Sequence, residues 1–126
     1  GIAGVICPLL DARKGEVYAG LYRADENGFP EAVTQERVAT PAEVLLPIQG
    51  DALFLGDGVA PAAALIEGRP KGLTHLLPPN LQSIRASSVA LIGRRKWQRG
   101  EALDLTTFVP RYLRRSEAEI RFGEKA

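Results

Sequence analysis

LLDARKGEVYAGLYR, residues Leu9–Arg23, joins two apolar runs through a short polar turn, and its reading decides the fold. The first run is Val5–Asp11 and the second is Glu16–Ala24. Between them Ala12-Arg13-Lys14-Gly15 ends in the residue that adopts positive φ most cheaply, so the stretch reads as an antiparallel hairpin. In the second strand Val17, Ala19 and Leu21 point one way and Tyr18, Gly20 and Tyr22 the other. Both sets are largely apolar, which predicts a central strand covered on both faces.

Outward from the hairpin, Asn27-Gly28 is the strongest short turn signal, and Glu31–Ala39 reads as a third, more exposed edge strand. Three antiparallel strands in sequence make a meander. Thr40-Pro41-Ala42-Glu43 is a capping-box helix start, with Val44, Leu45 and Ile48 as its buried face and Pro47 keeping it short. Ala52–Leu55 is an all-apolar strand, and Gly56-Asp57-Gly58 turns it into a helix running to Glu67. Thr74–Leu77 is a fifth strand. Asn80 caps the longest helix, expected over Leu81–Arg99, with Leu81, Ile84, Ser88, Leu91 and Ile92 as a stripe that packs by burial. Ala86, Ala90 and Gly93 form a neighbouring stripe that permits close backbone approach, and Gly100 supplies the stop.

The order β-β-β-α-β-α-β-α predicts an α/β fold: a mixed sheet with an antiparallel meander and βαβ crossovers. That order matches a ribonuclease H-like lobe of the actin and Hsp70 type. We expect one such lobe over residues 1–115, followed by a charged, flexible tail over residues 116–126.

Composition bounds the function classes. At 126 residues, 45% hydrophobic and 25% charged, the chain has the profile of one globular domain, with no apolar run near the ~20 residues of a membrane span. Gly1–Leu10 lacks the basic leader and cleavage site of a signal peptide. The lone Cys7 sits in an apolar strand, which suits a buried thiol in a reducing cytoplasm. The sequence has no methionine, and we expect it to be an excised piece of a longer protein.

The net charge of +1 hides an asymmetry. Residues 1–84 carry six Lys and Arg against ten Asp and Glu, whereas residues 85–115 carry eight against two. That basic stretch suits nucleic acid or an acidic protein face. Equally, Arg94, Arg95, Lys96 and Arg99 suit the last turns of a helix, where cations complement its dipole.

DARKGEVYAGLYR (Asp11–Arg23), LGDGV (Leu55–Val59) and PRYLRRSEAE (Pro110–Glu119) together resemble the C-terminal half of the TsaB family, also known as YeaZ. This is a glycoprotease-like bacterial family of tRNA threonylcarbamoyladenosine synthesis. The resemblance spans essentially the whole chain but only the second of the family's two lobes. It implies a cytoplasmic, non-catalytic scaffold without a cofactor. It implies binding to the catalytic subunit TsaD, with TsaE joining them, tRNA engaged indirectly, and room for a homodimer. The motif positions Asp11, Arg13, Gly15, Glu16, Tyr18, Pro110, Tyr112 and Arg114 are structural on this reading.

Read residue by residue, the chain offers few reactive candidates. A metal site usually needs three or four His, Cys, Asp or Glu ligands, and there is one His and one Cys. His75 in its short strand reads as structural. Cys7 has no helix start or basic cluster near it to lower its pKa. Asp11 and Glu16 flank the turn and could pair as carboxylates; the alternative is that Asp11 caps the turn while Arg13 and Glu16 form a surface pair.

Gly56-Asp57-Gly58 could hold a phosphate on free N–H groups. However, Asp57 puts negative charge where the phosphate would sit, and the turn lacks a full GxGxxG or a P-loop lysine. A structural βα turn is the expectation. Tyr18 and Tyr22 read as inter-layer packing. Trp97, amid Arg94, Arg95, Lys96 and Arg99, could stack on tRNA or anchor the helix end against Phe108–Tyr112. In that tail Pro110 and Tyr112 are expected to fix the chain's course, leaving Arg111, Arg114 and Arg115 for solvent or a partner. Enzymatic rivals, a peptidase or a small-molecule kinase, would need a convergent cluster of titratable groups in a cleft. A direct tRNA-binding module would use Arg94, Arg95 and Arg99.

Overall fold

The computed structural model describes residues 4–115. The expected flexible tail, residues 116–126, lies outside the described residues. The elements are β1 (Val5–Arg13), β2 (Glu16–Ala19), β3 (Tyr22–Ala24), β4 (Pro30–Ala32), β5 (Arg37–Ala39) and α1 (Pro41–Leu45). They continue as β6 (Ala52–Leu55), α2 (Val59–Glu67), β7 (Thr74–Leu76) and α3 (Ala86–Gln98). A short 3-10 turn covers Pro79–Leu81.

The seven strands form one mixed α/β sheet in which β1 is the hub. On one edge β1 pairs antiparallel with β2 and β3, and on the other it pairs parallel with β6, which continues in parallel to β7. β2 and β3 are one strand in two pieces, since Leu9↔Ala19 and Ile6↔Tyr22 keep the same register along β1. Gly20 therefore falls opposite Pro8, which has no N–H to give to a ladder. The third strand breaks at the same level: β4 pairs with β3 and β5 with β2. At the break Leu21 donates its N–H to Thr34 Oγ1 at 3.0 Å, and its carbonyl accepts from Val33 and Thr34. The three-strand antiparallel pairing is thus present, with its second and third strands each interrupted.

β2 lies inside the sheet between β1 and β5 as expected, but only one of its faces is fully buried, a correction with a clear cause. Among the described residues, α1 and α2 pack their side chains into the core on one face of the sheet. On that face Val5, Cys7, Leu9, Val17, Ala19, Leu21, Ala52 and Phe54 pack with Val44, Leu45 and Ile48 around α1 and Ala62 and Ile66 of α2. Tyr18 and Tyr22 on the opposite face stay half-buried.

The local signals at the helix starts operate as read. Thr40 and Glu43 form a reciprocal capping box: Glu43 Oε2 accepts from the Thr40 N–H at 2.8 Å and from its hydroxyl at 2.7 Å. The bonds from Thr40 hold the Glu43 carboxyl below the usual carboxylate range. The Gly56-Asp57-Gly58 turn is built onto β1. Gly58 N–H donates to Leu9 O at 2.9 Å, and Asp57 Oδ1 accepts from the Asp11 N–H at 2.9 Å. Arg69, just past α2, hydrogen-bonds the carbonyls of Ile48 and Gly50 and lies over the Phe54 ring at 5.5 Å, clamping the α1–β6 loop onto the core.

The last helix departs from expectation. Residues before Ala86 are spent on the 3-10 turn after Pro78-Pro79, and Arg85 takes an extended conformation at the N-cap, so Asn80 caps nothing. None of the residues of α3 is buried, so the stripe expected to pack is instead presented outward. Its end is as read: Gly100, at φ 75°, donates to Trp97 O, and Glu101 to Lys96 O, which together make a Schellman stop.

Glycine substitutions test this architecture. Gly56 has φ +100° and a Cβ there would lie 2.2 Å from Leu9 O, whereas Gly28, at φ +79°, faces open space. Gly56→Ala should cost roughly 3 kcal/mol or more, and Gly28→Ala about 1 kcal/mol, because only the first adds a backbone clash to the φ penalty. Urea unfolding of the two variants checks the order.

Candidate interaction surface

The titratable groups are largely committed to structure. Asp11 takes the Arg13 N–H at 2.8 Å and the Arg13 guanidinium at 3.2 Å. It thereby shapes a turn in which Arg13, Lys14 and Gly15 all have positive φ, next to a register shift in β1. Asp11 caps the turn, while Arg13 pairs with Asp11 rather than with Glu16. Burial pushes the Cys7 thiol up to about 12, outweighing the opposing field of Arg69. His75 Nε2 lies 2.8 Å from Asp51 Oδ1 in an exposed pair. Among the described residues no group of three or more His, Cys, Asp or Glu is placed to hold a metal ion, and no helix is long and apolar enough to cross a membrane.

The basic cluster divides. Arg95 turns inward: its guanidinium pairs with Asp25 and stacks over the Phe29 ring at 4.1 Å. The other Asp25 oxygen accepts the Asn27 and Phe29 N–H groups at 2.9 and 2.8 Å, so one carboxylate both builds the Asn-Gly turn and ties α3 to it. The Arg95 bond, with help from those N–H groups, holds the Asp25 carboxyl down at about 2. Arg94, Lys96 and Arg99 are exposed around it. Trp97 is 71% exposed, so it is no anchor for the tail. Ile84, Val89 and Leu91 of the α3 region and Leu103, Leu105 and Val109 beyond it are likewise exposed apolar side chains.

The tail is held the opposite way from expectation. Tyr112 is 83% exposed and Pro110 is exposed, whereas Arg111 pairs with Glu36 and Arg114 with Glu16. Between the arginines Leu113 lies against the open face of the sheet, lining a recess of about 150 Å³ with Pro8, Leu10, Tyr18, Tyr22 and Glu36. Tyr22 donates its hydroxyl to Glu36; burial first, and that carboxylate second, push the Tyr22 pKa up to about 12. Sequence reasoning missed this docking. The signal available was the acidic charge of Glu16 on β2 and of Glu36 just before β5, opposite a basic tail.

The fold is similar to that of solved structures. A Pseudomonas aeruginosa protein with similarity to the peptidase YeaZ superposes with a TM-score of 0.66 at 26% identity, over 89% of this chain and 50% of that one. The YeaZ structure from Pseudomonas aeruginosa gives 0.65 at 26% identity, over 87% and 50%. No family model matches the chain. In sequence, the chain is 34% identical over 124 residues to the tRNA threonylcarbamoyladenosine biosynthesis protein TsaB of Bacillus subtilis, covering 96% of this chain and 52% of that relative. The chain is therefore TsaB/YeaZ-like, and it spans about half the length of the relatives it matches.

The Asp25–Arg95 tie has a pH signature. Its carboxyl is lowered from 3.8 to about 2, so the tie contributes stability above the unfolded pKa and loses it as pH falls through that window. The thermal-midpoint difference between the native chain and Asp25→Asn should be full at neutral pH and vanish as pH drops from about 4 towards 2. A second check is Tyr22. Absorbance titration should show a tyrosine step near 12 that Tyr22→Phe removes.

Proposed function

We propose that this chain is one lobe of a TsaB-like subunit of tRNA threonylcarbamoyladenosine synthesis, and that it acts as a cytoplasmic scaffold that does no chemistry itself. Its partner on this reading is the catalytic subunit TsaD, with TsaE joining the complex and tRNA engaged through them. The observation that carries the reading is the set of exposed apolar side chains on α3 and the segment after it, more than an isolated lobe has reason to present to water. The internal commitments of Asp11, Asp25, Asp57 and Cys7 support it from the other side, because each is spent on the fold. Residues 1–115 form the lobe, of ribonuclease H-like type, and the motif positions Gly15, Tyr18, Pro110 and Tyr112 serve its architecture.

A second reading, direct contact with tRNA, is favoured by one observation: Trp97 stands exposed amid Arg94, Lys96 and Arg99. Arg95, committed to Asp25, adds little to it.

Reconstitution separates these. The full-length protein should co-purify with TsaD and be required for threonylcarbamoyladenosine formation. Val89→Glu with Leu91→Glu should abolish both while leaving the circular dichroism unchanged, since both side chains are exposed. Modification at an undiminished rate without the chain would contradict the scaffold reading. So would ATP or peptide hydrolysis lost on His75→Ala. Salt-dependent tRNA binding by the chain alone, lost on Arg94→Ala with Arg99→Ala, would move the assignment to the second reading.

A further inference from the structure

The β3–β4 turn carries the pair Asn27-Gly28 at its tip, and both residues are exposed. Gly28 has φ +79°, and a Cβ built on it would meet nothing within 4 Å, so no neighbour packs over it. One residue holds the turn shut. The Asp25 carbonyl accepts the Gly28 N–H at 2.9 Å, and one oxygen of its carboxylate accepts the Asn27 and Phe29 N–H groups at 2.9 and 2.8 Å. Its other oxygen pairs with Arg95, so the lock is anchored on α3. Asn27 also lines a recess of about 340 Å³ with Leu91, Arg94, Arg95 and Gln98 of that helix.

We propose that Asn27 is a self-modification site, converting to aspartate and isoaspartate, and that the Asp25–Arg95 lock sets how fast. Asparagine is among the thermolabile residues, and a following glycine leaves the attacking nitrogen uncrowded. In the closed turn that nitrogen is engaged with the Asp25 carbonyl. Local opening frees it to attack the Asn27 Cγ. The new N–Cγ bond closes a cyclic imide, the Cγ–Nδ2 bond breaks, and ammonia leaves with the displaced amide proton. Water then adds to either imide carbonyl, and opening the ring gives aspartate on one side or isoaspartate on the other. Either product puts a new carboxylate in the recess that Arg94 lines. The isoaspartyl product also lengthens the backbone between the Asn27 and Phe29 N–H groups, which Asp25 must hold together to stay paired with Arg95. Modification therefore feeds back on the docking of α3.

Two contrasts within the chain sharpen the assignment. Asn80, the other asparagine, is followed by Leu81, whose side chain crowds the attacking nitrogen. Asp57-Gly58 has the glycine, but its turn is packed shut: the Gly58 N–H is held by Leu9 O at 2.9 Å, and Asp57 Oδ1 holds the Asp11 N–H.

Ageing the full chain at physiological temperature and mildly alkaline pH tests this. Tryptic peptides read by mass spectrometry separate the two asparagines, Asn27 between Arg23 and Arg37 and Asn80 between Lys71 and Arg85. Asn27 should gain the amide-to-acid mass and yield chromatographically distinct aspartyl and isoaspartyl forms, while Asn80 stays intact. Arg95→Ala should speed the conversion about tenfold, the change in open population expected from losing one charged hydrogen bond. Ile66→Val weakens the core without touching the turn and should leave the rate unchanged. The chain unfolded in urea should convert faster than any folded variant. Conversion at Asn27 no faster than at Asn80 in the folded chain would overturn the site. An Arg95→Ala rate equal to the native rate, or a native rate equal to that in urea, would overturn control by the lock. So would a rise in Ile66→Val as large as in Arg95→Ala, since the reaction would then run through global unfolding.

Discussion

The carbonyl of Leu9 is the point on which the fold closes. It accepts the Gly58 N–H at 2.9 Å, and two residues on, the Asp11 N–H reaches Asp57. This packs the β6–α2 turn so tightly onto β1 that a side chain at Gly56 would meet the Leu9 carbonyl. With that turn fixed, β6 lies parallel to β1, α2 is launched over the inner face, and Ala62 and Ile66 reach the core around Phe54 and Cys7. The same strand, through its antiparallel edge, organises the hairpin and the meander beyond it. A single strand thus carries the antiparallel and parallel halves of the sheet. Asp57 joins them through its carboxylate, which accepts the Asp11 N–H.

Much of this was legible in the residues. Signals that act through the backbone over a few positions transferred directly: the Thr40/Glu43 box, the Ala52–Leu55 strand, the Gly58-to-Glu67 helix and the Gly100 stop. The mixed sheet with its meander followed from their order. What failed were inferences about which faces are covered, because amphipathic patterns say that a face is apolar and not what lies against it. The tyrosine face of β2 and the apolar stripe of α3 both look like core in sequence, and neither is. The break opposite Pro8 had a signal, a proline inside a strand, that the apolar run around it masked.

The candidate site was harder to read for the same reason. Arg94, Arg95 and Arg99 look equivalent along the chain, yet helical spacing sends Arg95 to Asp25 and Phe29 while its neighbours face solvent. In the tail, Arg111 and Arg114 rather than Pro110 and Tyr112 hold the segment down, through partners more than seventy positions away. Long-range ion pairs of this kind leave no local pattern. Two of the three motifs that carried the family resemblance, DARKGEVY and PRYLRR, meet in space through Glu16 and Arg114. Their pairing gives a physical reason for the two strings to occur together in one chain.

The central claim is that stability is concentrated at β1 and its Gly56-Asp57-Gly58 contact, while α3 is held on by little more than Arg95. Native-state hydrogen exchange read amide by amide tests it most directly. The account predicts that the amides of Cys7, Leu9, Asp11 and Phe54 exchange only through global unfolding, and that those of α3 exchange orders of magnitude faster through local opening. Amides of α3 as strongly protected as those of β1, in the isolated chain, would contradict it.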